Sequence, residues 1–197
     1  EVVCINGNYY VNAITHALKE YHGSAMPTVY GSFCPTVSYK SITFSALFTY
    51  SLGGKVYDDI YRQLMTTTTT PHNYHEDIMK SWNGVPEGMT EDSPHRIWAN
   101  GVPQINSNES SDNNAISSRW LTSANYLVLK NLYLSYDLPK EWTRAIYMEG
   151  IRVNLSCENV FTSTKRRGMN PQQSINGYQY NYLMTPRVFT IGIDVKF

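Results

Sequence analysis

The chain has 197 residues, and 16 Lys plus Arg stand against 16 Asp plus Glu, so it carries no formal net charge. That balance excludes the electrostatic footprint of a protein that neutralises many phosphates along a nucleic acid. Charged residues make up only 16%, below the roughly 25% of soluble domains, while tyrosine is used 16 times and aromatics reach 13%, a combination suited to strands at a membrane boundary.

Taken in chain order, Glu1 to Ile5 is a short apolar stretch without the features of a signal peptide, so a leader is expected further upstream or already removed. Val11 to Tyr21 reads as a short helix in an outer loop. A weak strand spans 31–40, where Pro35 suits a bulge or a strand end. The next strand, 42–52, sets Ile42, Phe44, Ala46, Phe48, Tyr50 and Leu52 against Thr43, Ser45, Thr49 and Ser51, interrupted only by Leu47. Its length is that of a tilted β crossing of a bilayer rather than of a soluble strand.

After the Gly53-Gly54 turn, Lys55 to Met65 has helical character, with Val56, Ile60 and Leu64 at a spacing of four. Thr66 to Thr70 is an extended low-complexity run ended by Pro71, and His75 to Trp82 reads as a short helix. Gly84, Pro86, Gly88, Pro94 and Pro103 enforce irregular backbone, and Asn106 to Ser118 reads as a mobile polar stretch.

Alternation then returns over 126–138, with Val128, Leu132, Leu134, Tyr136 and Leu138 opposing Leu129, Asn131, Tyr133, Ser135 and Asp137, broken by Lys130 on the apolar side. Over 151–161, Ile151, Val153, Leu155 and Cys157 oppose Arg152, Asn154, Ser156 and Glu158. Over 186–197, Phe189, Ile191, Ile193, Val195 and Phe197 alternate with Val188, Thr190, Gly192, Asp194 and Lys196. Short connections, near 40–41 and over 139–150, alternate with long ones over 53–125 and 162–185. Such alternation is expected of an antiparallel membrane barrel with short periplasmic turns and long outer loops. No apolar run reaches the roughly 18 residues of a transmembrane helix. A mean hydropathy of -0.38 is compatible with strands that show lipid only every second residue.

Several segments resemble the C-terminal region of the SusC/RagA family of TonB-dependent outer-membrane transporters of Bacteroidetes. They are Gly31 to Asp59 (GSFCPTVSYKSITFSALFTYSLGGKVYDD), Ser118 to Pro139 (SRWLTSANYLVLKNLYLSYDLP), Ile151 to Pro171 (IRVNLSCENVFTSTKRRGMNP) and Pro186 to Phe197 (PRVFTIGIDVKF), with a weaker match at Trp82 to Ile97. The chain departs from the family's pattern at Val128, where an arginine is usual, and in the turn Trp82 to Gly88.

The resemblance implies an all-β fold: antiparallel strands forming the C-terminal part of a transmembrane β-barrel of about 22 strands, with long extracellular loops containing short helices. The chain supplies about five strands, fewer than the eight or so of the smallest bacterial barrels, so it is expected to be a segment of a larger assembly, without the plug domain. The implied activity is TonB-powered import of oligosaccharides or peptides with a SusD-like surface lipoprotein. The implied partners are the remaining barrel and plug segments, that lipoprotein, TonB, lipid and the imported substrate, with no nucleic acid, in the outer membrane of a Gram-negative bacterium as a multi-pass β-barrel.

The last eight residues, Thr190 to Phe197, resemble the terminal signal read by the barrel-assembly machinery. Gly192 would be its flexible point, and Val195 and Phe197 its docking and anchoring side chains. Trp82, His95, Arg96, Trp98 and Trp120, in the long outer segment, are candidate ligand or partner contacts, because aromatic faces with arginine suit sugars, peptides and protein interfaces. The competing reading is that they pack the loop against its neighbours.

Lys165, Arg166 and Arg167 form a solvated charge cluster or face lipopolysaccharide phosphates. His72 and His75 lack a third metal ligand, and Asp58 and Asp59 lack a calcium-loop pattern, so they read as surface histidines and solvated acids. Three cysteines, Cys4, Cys34 and Cys157, leave room for one bridge, with Cys157 read as a small hydrophobe on an apolar face. No nucleophile elbow or phosphate loop occurs, so neither an enzyme nor a cofactor or metal is expected. A secreted or surface β-rich glycan-binding module is the alternative, separated from the barrel by whether Phe44, Phe48, Leu134 and Ile193 meet lipid or a second sheet.

Overall fold

The structure, a computed structural model, describes residues 2–5, 8–11, 14–67, 72–85, 88, 90, 102–106, 110–170, 172, 176–180 and 184–197. In chain order the strands are β1 (Val2–Ile5), β2 (Asn8–Val11), β3 (Val29–Phe33), β4 (Thr36–Tyr39), β5 (Ile42–Leu52), β6 (Lys55–Asp58), β7 (Leu121–Ser123), β8 (Tyr126–Asp137), β9 (Gly150–Thr164), β10 (Tyr178–Gln179) and β11 (Val188–Lys196). The short helices are α1 (Asp59–Leu64), α2 (Ser110–Asn113) and α3 (Lys140–Ala145). Two compact units result, Glu1–His22 with Asp58–Leu121, and Gly23–Tyr57 with Thr122–Phe197.

The second unit is organised by one antiparallel sheet in the order β11-β9-β8-β5-β3, with β4 also paired to β5. Its members are long: 11 residues in β5, 12 in β8 and 15 in β9. Each reaches the roughly 9–11 residues that a tilted bilayer crossing requires. Strand polarity follows from the register. Tyr39 pairs with Ile42, Ile42 with Tyr136, Tyr136 with Val153 and Val153 with Ile193, so the 40–41 turn, the 138–149 connection and the end of β11 share one edge of the sheet. The long connections leave from the other edge.

Two irregularities interrupt the ladder, and each has a local cause. Between β3 and β4, Cys34 and Pro35 stand outside strand geometry, yet Phe33 pairs with Phe48 and Thr36 with Ser45, so no residue is gained or lost. Proline lacks an N–H, and its carbonyl still accepts from Ala46 N at 3.1 Å, which suits an outer strand. The second break is a bulge. Asn131 pairs with Leu47 but Leu129 pairs with Phe48, leaving Lys130 outside the ladder, and on the other side β9 skips Asn159 and Val160, with Asn159 at φ 53.

The bulge corrects the face assignment made from alternation alone. Continuous period-two counting puts Val128 on the apolar side and Leu129 on the polar side. The extra residue reverses both, because a one-residue offset moves every later side chain to the opposite face. Leu129 therefore joins Phe48 and Phe161, while Val128, 1% exposed, lies in a row with Thr49 and Thr162.

Other expectations shift as well. Lys55 to Met65 divides into β6 and then α1, whose first turn is capped by Asp58 Oδ1 accepting from Tyr61 N at 3.1 Å. Among the described residues, the expected helix of Val11 to Tyr21 contains a 3-10 turn, Ile14–His16, and Val11 instead ends β2, which pairs antiparallel with β1. The polar stretch before Trp120 contains α2 and a 3-10 turn, Ser118–Trp120. Cys34 and Cys157 are both free thiols.

At Gly192 a Cβ would fall on the side-chain amide of Asn154 across the strand pair, where Asn154 Nδ2 donates to Asp194 Oδ2 at 2.9 Å. Gly192 is thus a position of close approach, and a substitution there requires Asn154 to turn away. Gly192→Ala is expected to destabilise the sheet by about 1 kcal/mol, through loss of that exposed hydrogen bond. Urea unfolding of the detergent-solubilised protein measures this, and in an Asn154→Gly background Gly192→Ala should add no further loss.

Candidate functional site

The register gathers the apolar side chains of five strands into rows on one face. Val37, Phe44, Leu134, Leu155 and Ile191 form one row, and Tyr39, Ile42, Tyr136, Val153 and Ile193 the next. A third contains Ala46, Leu132, Cys157 and Phe189. These rows are largely uncovered: Phe44 is 43%, Leu134 40%, Ile191 73% and Phe189 74% exposed. Contiguous apolar surface on this scale marks contact with a membrane or another protein.

The opposite face is polar. Ser38, Thr43, Ser135, Asn154 and Gly192 form one of its rows, and the next holds Ser45, Tyr133, Ser156 and Thr190. Ser38 and Thr43 hydroxyls share a hydrogen bond of 3.0 Å, and Arg152 grips Asp137 with Nε at 2.7 Å and Nη2 at 3.2 Å. A sheet with one oily and one hydrogen-bonding face, built from strands of spanning length, has the form of a barrel wall segment.

The first unit has its own small core. Trp120 is 0% exposed; its Nε1 donates to Ala115 O at 2.9 Å, and its ring meets Tyr61 edge-on with centroids 5.9 Å apart. Arg119 lies over the same indole at 4.5 Å and donates to Asn113 O at 3.1 Å; burial pushes its pKa below the ordinary guanidinium value. Asp58 and Asp59, read as solvated acids, are both buried. Asp58 caps α1, while Asp59 accepts from Arg62 Nε at 2.7 Å and Gln63 Nε2 at 2.6 Å.

His75 caps the 3-10 turn Glu76–Lys80: Nδ1 accepts from Asp77 N at 3.1 Å and its ring stands edge-on to Tyr61 at 4.8 Å. With Nδ1 an acceptor in that cap, the 3.4 Å approach of Asp77 Oδ2 to the same nitrogen is not a second hydrogen bond from it. Asp77 accepts from Lys80 and from Tyr61 OH at 2.9 Å, and these bonds hold its carboxyl below the usual carboxylate value. Sequence reading passed over Tyr61 and Asp77; the available signal was the pair of acids Glu76 and Asp77 opening a turn.

Of the residues predicted to contact ligand or partner, Trp120 is corrected. A side chain without exposed surface packs the loop and offers no face to a ligand. Trp82 is half-buried, and its N donates to Val102 O at 2.9 Å. His95, Arg96 and Trp98 lie outside the described residues. Val195, in β11, is 39% exposed and Phe197, just past the strand, 83%, with the strand's outer edge unpaired among the described residues. No group of three or more metal-ligating side chains occurs among the described residues.

Comparison with known proteins agrees with the wall-segment form. No family model matches the chain. It is similar to TonB-dependent receptor P3 of Formosa agariphila, 23% identical over 195 residues that cover 93% of this chain and 18% of the relative. It is similar also to TonB-dependent receptor P39 of that organism, 25% identical, covering 98% of this chain and 18% of the relative. The chain therefore spans under a fifth of these relatives' length.

Among solved structures, the RagAB peptide importer in its closed-closed state matches with a TM-score of 0.73 at 24% identity, covering 99% of this chain and 20% of that one. The RagAB peptide transporter matches with a TM-score of 0.66 at 26% identity, covering 88% and 18%. The resemblance read from the sequence is thus borne out: the chain is similar to a SusC/RagA-like portion of a TonB-dependent receptor. These relatives are receptors and transporters, not enzymes.

Trp120→Ala is expected to remove about 3–5 kcal/mol from the first unit. Limited proteolysis would then cut within 58–121 while the sheet stays resistant. A pH effect follows from Asp77. Because its folded pKa is lowered, its stabilisation is fully present above the unfolded value near pH 4 and is lost as pH falls through the folded value. Following Tyr61-region protection from pH 5 to pH 2 by proteolysis checks this, and Asp77→Asn should flatten that part of the profile.

Proposed function

We propose that the chain is the C-terminal segment of a barrel of about 22 strands, in an outer-membrane importer of oligosaccharides or peptides. The single observation that carries this reading is the uncovered apolar face running in register across β4, β5, β8, β9 and β11. A secreted sandwich would lay a second sheet over Phe44, Leu134 and Ile193, yet all three are exposed. The polar face would line the lumen, and the outer edges of β11 and β3 would pair with other strands of the same protein.

In this reading TonB supplies energy through a plug outside this chain, and a SusD-like lipoprotein closes the mouth. The likeness to a peptide importer supports import as the activity and leaves both substrate classes in play. The Asp58–Leu121 part of the first unit belongs to the outer loop 53–125, where Trp82, His95, Arg96 and Trp98 remain candidate contacts. The Thr190 to Phe197 segment would be the assembly signal: Val195 and Phe197 are exposed on and just past a strand whose outer edge is open to pairing among the described residues, and Gly192 makes room for Asn154 of β9.

The test is a charge placed on the belt. Leu134→Arg and Ile191→Arg should each destabilise the membrane-inserted protein by about 2–4 kcal/mol, lowering its level in outer-membrane fractions and uptake in proportion. Ser38→Arg, exposed on the polar face, should leave both near wild type. Equal tolerance on the two faces would overturn the assignment of lipid and lumen sides.

A further inference from the structure

The helix α3, on the short-turn edge of the sheet, is pinned by backbone bonds at both ends. Before it, Leu138 N donates to Ile151 O at 2.9 Å. After it, Tyr147 N donates to Arg144 O at 3.1 Å and Met148 N to Thr143 O at 3.0 Å, the paired bonds of a Schellman turn, with Tyr147 at φ 59. Glu149 N then donates to Lys196 O at 2.8 Å, which returns the chain to the sheet. These bonds fix how the helix is rotated relative to the strands it joins.

That rotation sorts its side chains. Lys140 and Arg144, four residues apart, share one side and line a cleft with Glu149 and Lys196. Lys196 continues the alternation of Thr190, Gly192 and Asp194, so the cleft opens on the polar side of the sheet. Thr143 has no exposed surface and turns toward the protein. With about 3.6 residues per turn, Trp142 and Ile146 fall beyond Thr143 on the side away from the cleft. The helix therefore straddles the rim of the sheet, its cations toward the polar face and Trp142 with Ile146 toward the apolar one. Both are uncovered, at 62% and 52% exposure.

The belt changes character as it reaches the same edge. Its middle rows, with Phe44, Leu134 and Ile191 and with Ala46, Leu132 and Phe189, hold neither tyrosine nor tryptophan. The row nearest the short turns holds Tyr39 and Tyr136, both exposed, and Lys40 Nζ lies over the Tyr39 ring at 5.3 Å from its centroid. Phenol and indole rings bury an apolar body while keeping one polar atom wet, and a lysine stem beside them carries its charge out to water. Such side chains collect where hydrocarbon meets the aqueous phase. Trp142 follows Tyr136 by six residues and extends this band past the ends of the strands.

We propose that the Trp142 and Ile146 side of α3 lies in the boundary between headgroups and acyl chains of the phospholipid leaflet on the short-turn side, as an interfacial anchor continuous with the belt. A short helix with one cationic and one apolar side, held flush with a membrane wall, meets that layer without burying either charge. The inference rests on the belt facing lipid, as proposed above.

The indole is its own depth probe. The full-length transporter and its Trp142→Phe variant are reconstituted in phosphatidylcholine brominated either near the glycerol end or near the methyl end of the acyl chains. The emission lost on Trp142→Phe is the Trp142 signal. Bromine near the glycerol end should quench that signal by about twofold or more, and bromine near the methyl end by less. Leu134→Trp, added to the Trp142→Phe background in the middle of the belt, should show the reverse order.

A Trp142 signal quenched by neither lipid, while Leu134→Trp is quenched, would overturn the inference and assign that side of α3 to water or to a protein partner. Stronger quenching of Trp142 from the methyl end would overturn it too, by placing the indole in the hydrocarbon. A Leu134→Trp signal that neither lipid quenches would sink the wall reading and the anchor with it.

Discussion

In the proposed barrel wall, backbone hydrogen bonding in hydrocarbon is the governing constraint. A peptide N–H or C=O facing lipid has no water to turn to, so a strand can cross only if both of its edges are paired. Inside the sheet that condition is met: β9 pairs on one side with β11 over nine positions and on the other with β8 over most of its length. Among the described residues it is unmet at the outer edges of β11 and β3. The open edges and the exposed belt are therefore one fact seen twice, since a sheet that buried its oily face within itself would have no need of further strands.

The irregularities fall where that constraint is weakest or where a defect can be shared. Pro35 lies at the break between β3 and β4, where its missing N–H interrupts the strand without displacing the register. Lys130 is accommodated differently. Its extra residue switches the phase of β8, while the two unpaired residues on β9 keep that strand's odd positions on the apolar side, and the rows realign as Phe48, Leu129 and Phe161. A charged side chain that would have stood among lipid-facing residues is thereby taken out of the alternation altogether.

This explains which parts of the fold were legible in the sequence. The faces of β5, β9 and β11 follow from period-two alternation because nothing in the relevant stretches resets the count. In β8 the count fails beyond Lys130, since whether an out-of-place residue is tolerated on its face or expelled as a bulge depends on the neighbouring strands. The loop residues fail for a related reason. Trp120 in isolation suggests an exposed aromatic, and only tertiary packing against Tyr61 and Arg119 makes it a core residue. Asp58 and Asp59 look solvated until Tyr61, Arg62 and Gln63, within one helical turn, consume their oxygens.

The polar face raises the question of what its charged groups contribute. Asp137 and Arg152 are both about half exposed, and a pair so placed stabilises by at most about 1 kcal/mol. The same arginine on the opposite face would cost about 2–4 kcal/mol near the bilayer midplane, falling toward zero at the interfaces. Asp137 ends β8 and Arg152 is the third residue of β9, so the pair lies at the rim of the sheet, where that cost is at its low end. It therefore does little either to hold the strands together or to decide which way they face. In the proposed barrel, orientation is set further along the strands, by the rows of Thr43, Ser135 and Asn154 and of Ser45, Tyr133 and Ser156, whose polar groups would lose water in hydrocarbon, and by the apolar rows opposite them.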